Sequence, residues 1–221
     1  MGCPACTPSR SRRRGRVLHE HISVRTQYAS PDLIEAIAYD GLDPAADPRW
    51  AETGAIDQAE YARWCRHCCG MACLQMVLAH RDGSAPSLLA LLRAGLPYGT
   101  YSSTPDGSIR GLFYAPFVDY VRAEHSLHGE VHPHLDLDGM FDQLDIGRLV
   151  LASVHKEIRR PDRPAPGRGG HLVLVIGHDP AMDSVFFRNP SGHTQQAREA
   201  TMPTAVFEPF YGGRGVSVAV T

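Results

Sequence analysis

Two segments far apart in the chain carry residue types that could do covalent chemistry together. Cys69-Gly70 opens an apolar run, Met71-Ala72-Cys73-Leu74-Gln75-Met76-Val77-Leu78, that follows helical spacing. A thiol at a helix N-terminus faces unpaired backbone N–H groups and the positive end of the macrodipole, and both favour the reactive thiolate. Further on, Gly170-His171-Leu172-Val173-Leu174-Val175-Ile176 puts a histidine at the head of an apolar strand, and Phe186-Phe187-Arg188-Asn189-Pro190 follows after a turn. Cys, His and Asn in that order read as a nucleophile, its base and the base's orienter. Cys69 would attack a carbonyl, His171 would protonate the leaving amine, and Asn189 would hold the imidazole in its productive tautomer.

The other thiols and imidazoles have plainer readings beside functional ones. Cys73, one turn after Cys69, reads as core, and Cys68 as a spectator at the helix cap or a resolving thiol for an oxidised Cys69. Cys3-Pro4-Ala5-Cys6 and Cys65-Arg66-His67-Cys68 have zinc-knuckle spacing, which keeps open a structural zinc site shared by Cys3, Cys6, Cys65 and Cys68. His125, His128, His132 and His134 mix helix and strand spacings and read as surface histidines sooner than as ligands. His178-Asp179 reads as a turn, and His193 competes with His171 as the base. No metal is assigned and no cofactor is expected. The segment 157–170, rich in Arg, Pro and Gly, runs directly into His171. It is either a lid over an acidic or carboxylate-bearing acyl substrate, with Arg168, Gly169 and Gly170 as binding candidates, or a solvated connector.

The elements that must position these residues change character midway. Residues 1–16 are rich in Arg, Ser and Pro and are expected to be disordered, leaving 17–221 as one domain. Ser30-Pro31-Asp32 reads as a helix start with Ser30 as N-cap, and Leu33, Ile34, Ile37 and Ala38 as the apolar face before Gly41. Residues 40–58 are loop-like. A helix from Cys69 to about His80 stops at Asp82-Gly83, and Ser87 is the expected cap of a short helix ended by Gly95 and Pro97. Residues 99–110 read as a polar loop, 112–123 as a helix carrying Phe113, Phe117, Tyr120 and Val121, and 137–146 as a small helix with Met140, Phe141 and Leu144 inward. Strands are expected over 149–154, 172–176, 184–188, 205–207 and 216–220, with 179–183 as a hairpin loop. Helices first and antiparallel strands later make an α+β domain, its nucleophile at a helix N-terminus packed on an antiparallel sheet.

Composition narrows the function classes. A chain of 221 residues with 43% hydrophobic and 21% charged content can bury a substantial core. A net charge of −2 gives no global pull toward nucleic acid or an anionic membrane surface. No apolar run approaches the roughly 20 residues that span a bilayer, and Arg12-Arg13-Arg14 is not followed by a signal-peptide hydrophobic segment, so a cytoplasmic protein is expected. Six cysteines bunched in two places fit reduced thiols rather than a secreted disulfide framework.

Over roughly residues 60–190 the chain resembles the C39-like branch of papain-fold cysteine peptidases. Cys69-Gly70, Ala72-Cys73-Leu74 and Met76-Val77 match that family's motif around the nucleophile, and Gly170-His171-Leu172-Val173 matches its histidine at a strand start. Asn189-Pro190 stands where the family has Asp before Pro, and Asn is the usual orienter in papain-type enzymes. The family commonly supplies an oxyanion-stabilising Gln shortly before the nucleophile. Here Tyr61-Ala62-Arg63-Trp64-Cys65-Arg66-His67 occupies that place, Gln58 is distant in sequence, and Arg63, Trp64 or His67 are the substitute donors. The resemblance implies a papain-like fold and a stand-alone peptidase or amide hydrolase working through a thioester on a peptide or amide substrate. An amide-forming acyltransferase or amidase in peptide or small-molecule natural-product biosynthesis, acting on a carrier-bound acyl group, uses the same residues. A noncatalytic binding module that keeps the fold, or a zinc-dependent adaptor, remains open at this point.

Overall fold

A computed structural model describes residues 15–220. Its strands are β1 (Val17–Leu18), β2 (Tyr101–Ser103), β3 (Ile109–Gly111), β4 (Gly129–His132), β5 (Arg148–Val154), β6 (His171–Asp179), β7 (Ser184–Arg188), β8 (Glu199–Pro203) and β9 (Tyr211–Ala219). Its helices are α1 (Ile34–Tyr39), α2 (Gln58–Trp64), α3 (Cys69–Asp82), α4 (Leu88–Gly95), α5 (Tyr114–His125), α6 (Leu137–Asp145) and the single turns α7 (Gln195–Arg198) and α8 (Thr204–Phe207). An antiparallel sheet runs β4-β9-β5-β6-β7-β8, and β1 pairs with the far end of β6, where β5 no longer reaches. This is the expected mixture of helices and antiparallel sheet. Among the described residues no helix is long and apolar enough to cross a membrane.

The sheet is covered on both faces, which explains why its central strand reads as an unbroken apolar run rather than an alternating one. Leu172, Leu174 and Ile176 of β6 pack with α3, α4 and α5, while Val173 and Val175 join the opposite cluster with Met140 and Leu144 of α6 and Phe207 of α8. α3 is the central helix. Gly70, Met71, Ala72, Cys73, Leu74, Met76, Val77 and Leu78 are all buried, so almost no polar stripe is needed on it. It ends where Gly83 takes the left-handed conformation (φ 76°) that closes a helix without steric cost to a side chain.

Several elements differ from the sequence-based expectation. Ser30 does not cap the first helix; its hydroxyl donates instead to buried Asp47. Ser87 also makes no side-chain cap bond at α4. The stretch 99–110 contains the β2–β3 hairpin rather than only loop, and α2 lies where no element was expected. The expected strand over 205–207 is helical; the strand precedes it as β8, because Glu199–Pro203 is the segment that pairs with β7. The helix expected over 112–123 starts at Tyr114, leaving Phe113 40% exposed. Phe141 is only partly buried, stacked on His178 at 4.5 Å between ring centroids. The tail expected over 1–16 falls almost entirely outside the described residues.

A segment ahead of α1 is strapped onto α2 through one carboxylate. Asp47, fully buried, accepts from the Ser30 backbone N–H (3.0 Å) and hydroxyl (2.6 Å), the Arg49 N–H (3.0 Å) and the Tyr61 hydroxyl (2.8 Å). The Tyr61 oxygen in turn accepts from the Ala29 N–H (3.0 Å). Burial raises the Asp47 carboxyl, but these donors outweigh it and hold the group below its ordinary range. A depressed folded pKa means the contribution is present above the ordinary carboxylate range and is lost as the pH falls through the folded value. Asp47→Ala strands several buried donors, so the denaturation midpoint should fall by the equivalent of about 1–3 kcal/mol, measured by urea titration at neutral pH. The gap between wild type and variant should close on acidification.

Candidate active site

The first turn of α3 and the first residue of β6 meet. The chain leaves α2 through Cys65, turns with the His67 N–H bonded to the Trp64 carbonyl (2.8 Å), and enters α3 at Cys69 behind an N-cap, Cys68, that makes no side-chain cap bond. Cys73, one turn on, points its sulfur at the Leu172 carbonyl (3.8 Å), and the Leu172 N–H reaches Cys69. The sulfur of Cys69 therefore lies against the backbone joining His171 to Leu172. Cys69 and His171 line one cavity of about 190 Å³. A Cβ at Gly70 would meet the Leu112 Cδ2 at 2.7 Å and the Leu172 Cδ1 at 3.1 Å, so the missing side chain lets this turn sit close to the strand.

Nε2 of His171 donates to Oδ1 of Asn189 at 2.9 Å, and both residues are buried. The same oxygen accepts from the Ser191 N–H (3.0 Å), which fixes the amide, and the Ser191 hydroxyl stands 3.1 Å from the same ring nitrogen. This bond selects the neutral tautomer protonated at Nε2 and leaves Nδ1 as the nitrogen available for proton exchange. Asn189 is held at the end of β7 by its N–H to the Arg198 carbonyl (2.8 Å).

The resting charges differ from the thiolate expected at a helix N-terminus. Burial pushes the Cys69 thiol up, with the N–H groups of Leu172, Gly70 and Cys69 itself only partly opposing it. Burial lowers His171 to about 4; the Asn189 bond acts against this, and the charges of Arg159 and His155 add to it. At neutral pH the two groups are a thiol and a neutral imidazole, because desolvation penalises both charged forms more than the helix start favours one.

Of the other sequence-based candidates, the structure brings some to Cys69 and not others. His67 lines the small cavity. Arg63 points away to the Ser103 hydroxyl (3.0 Å) and Trp64 packs in the core edge-on to Tyr101, so neither reaches either cavity that touches Cys69. Gly170 lines both cavities, whereas Arg168 is exposed away from them and Gly169 is buried with its N–H on the Phe210 carbonyl (3.2 Å). The cations that line the small cavity here come instead from Arg159, near the start of that loop, and Lys156, just before it. His193 packs edge-on against Tyr39, outside both cavities. His125 bonds the Tyr120 hydroxyl and His132 the Ser217 hydroxyl, each on its own. Cys3 and Cys6 lie outside the described residues. Cys65 and Cys68 are buried free thiols, and among the described residues no group of three or more His, Cys, Asp or Glu could hold a metal ion.

The residue missed by sequence reasoning is Gln27. It is 2% exposed, lines the cavity with Cys69 and His171, and is fixed by its backbone N–H to the Pro190 carbonyl (2.9 Å) and its Nε2 to the Cys65 carbonyl (2.7 Å). Its Oε1 is buried without a hydrogen-bond partner. The strap that Asp47 anchors carries Gln27 in from far upstream, so no local spacing around Cys69 could have signalled it.

No protein-family model and no curated protein matches the chain. Solved structures, however, are similar to it. A C39-like peptidase from Bacillus anthracis aligns with a TM-score of 0.54 at 12% identity, over 93% of this chain and 98% of that one. The peptidase domain of Streptococcus ComA, a bifunctional ABC transporter of a quorum-sensing pathway, aligns at 0.48 and 16% identity, over 70% of this chain and 92% of that one. With helices packed on an antiparallel sheet and the likeness to the C39-like peptidase structure extending over 93% of its length, the chain has the papain-like fold of the C39-like peptidases.

Proposed function

We propose that the protein is a cysteine-dependent acyl-transfer enzyme, a peptidase or amide hydrolase in which Cys69 is the nucleophile, His171 the base and acid, and Asn189 the orienter. The observation that carries this reading is the shared cavity of Cys69 and His171, with the imidazole locked by Asn189 at 2.9 Å. A noncatalytic module has no need for an imidazole that lines the same cavity as a thiol and is held in one tautomer by a buried amide.

The chemistry follows from a neutral pair. His171 takes the thiol proton on Nδ1 as Cys69 Sγ attacks the carbonyl, and a C–S bond forms. The proton then passes to the leaving nitrogen as the C–N bond breaks, giving a thioester. Water, deprotonated by the same imidazole, hydrolyses the thioester and restores the thiol. The developing oxyanion is stabilised by the Cys69 backbone N–H and by the second hydrogen of Gln27 Nε2, whose first is held by Cys65. Gln27 thereby supplies, from the strap, the amide that the sequence lacks just before the nucleophile.

Intact-mass analysis after incubation with a peptide or acyl-amide donor should show an adduct on Cys69 that is absent in Cys69→Ala. The same mixture with an added amine separates hydrolysis from amide formation by product mass. Gln27→Ala should lower kcat by about 10²–10³-fold with little change in KM, read from initial rates. Because His171 must be neutral to accept the proton, the acid limb of kcat/KM should fall near pH 4 rather than near the ordinary imidazole value. A limb near 6.5 would mean that His171 is solvated in the working enzyme.

A further inference from the structure

Two cavities meet at Cys69 and differ in chemistry. The larger, about 410 Å³, is walled by Leu112, Phe113, Val131, Pro133 and Leu172, with Arg214 as its charged lining residue. The smaller, about 190 Å³, is lined by Arg66, His67, Lys156 and Arg159 as well as His171 and Gln27, and no Asp or Glu lines it. Its volume is below the roughly 300–1,000 Å³ of pockets for drug-sized ligands.

The cations of the small cavity have few acidic partners: Arg66 and Lys156 are exposed, and Arg159 is buried. Arg159, 6% exposed, donates Nε to the Lys156 carbonyl (2.8 Å), and its nearest carboxylate, Glu157, is 3.8 Å away and already accepts from the Tyr39 hydroxyl (3.0 Å). Arg66 donates to a neutral acceptor, the Ile37 carbonyl (2.7 Å). Among the described residues no ion pair engages Arg66 or Lys156. Arg159 thus has one long ion pair and no charged hydrogen-bond partner, which leaves its guanidinium able to take an anionic ligand in the cavity.

The position of the base decides which half of a substrate goes there. His171 has to deliver its proton to the leaving nitrogen, so the leaving half occupies the cavity that His171 lines, and the acyl half occupies the apolar one. Resting on the nucleophile and base assigned above, we propose that the enzyme releases a small amine bearing a carboxylate, a C-terminal amino acid, from an apolar acyl group. The C–N bond to that amino acid breaks as the C–S bond to Cys69 forms, the thiol proton leaves on the amine, and water then frees the acyl group as a carboxylic acid. The carboxylate of the departing amino acid is bound by Arg66, Lys156 and Arg159.

The test compares hydrolysis of benzyloxycarbonyl-leucyl-alanine with that of its C-terminal amide, following the released alanine or alaninamide by mass spectrometry. The free acid should be preferred at least about tenfold in kcat/KM, and the preference should collapse toward unity in Arg66→Gln/Lys156→Gln. Equal cleavage of both, still dependent on Cys69, overturns the carboxylate inference and leaves the acyl-transfer reading standing. Should neither compound be cleaved, alkylation of Cys69 decides. The iodoacetate-to-iodoacetamide rate ratio, read by intact mass, should fall about tenfold from wild type to the double variant. An unchanged ratio overturns the inference. If neither reagent labels Cys69, the nucleophile assignment fails and the inference falls with it.

Discussion

The site depends on the docking of one helix end onto one strand end. The first turn of α3 lies against the backbone of His171 and Leu172, with Cys73 sulfur on the Leu172 carbonyl and the Leu172 N–H on Cys69. That contact survives only because both partners are fixed elsewhere. α3 is enclosed by its own apolar surface on nearly every side, and β6 lies between β5 and β7 with both faces covered. Close packing gives such an interface a single register. Cys69 and His171 need no flexible loop to share one cavity; they are the first residues of α3 and β6.

The same burial that positions the pair also sets its charge. Enclosure raises the thiol and lowers the imidazole, so the resting state is neutral on both sides. A thiolate–imidazolium pair would have to overcome the desolvation of both groups, and Asn189, being uncharged, orients the ring without stabilising an imidazolium as a carboxylate would. Around that neutral pair the lining is asymmetric, apolar on the Leu112–Phe113 side and cationic on the Arg66–Lys156–Arg159 side.

Much of this was legible in the chain. Apolar periodicity placed α3, β5, β6 and β7 within a few residues, and it marked Cys69 and His171 as element-initial residues, because burial on all sides leaves an unambiguous run of apolar side chains. Weakly patterned segments were not legible. The β2–β3 hairpin has polar, exposed positions, and α8 carries the β-prone Val206 and Phe207 yet is helical because β8 has already taken the pairing edge of β7. The cap expected at Ser30 was not legible for a related reason: its hydroxyl is turned to donate to Asp47, a partner from another loop.

The sequence by itself determined which side chains open α3 and β6, Cys69 and His171, and the order in which Cys69, His171 and Asn189 occur, since those follow from side-chain type and local periodicity. It could not determine the surroundings. Gln27 arrives on a strap fastened by Asp47, Arg159 and Lys156 rather than Arg168 face the small cavity, and Arg63 and Trp64 turn elsewhere. Those outcomes depend on contacts between segments remote in the chain, and so does the thiol's raised pKa, because desolvation is a property of everything packed around an atom rather than of its neighbours in sequence.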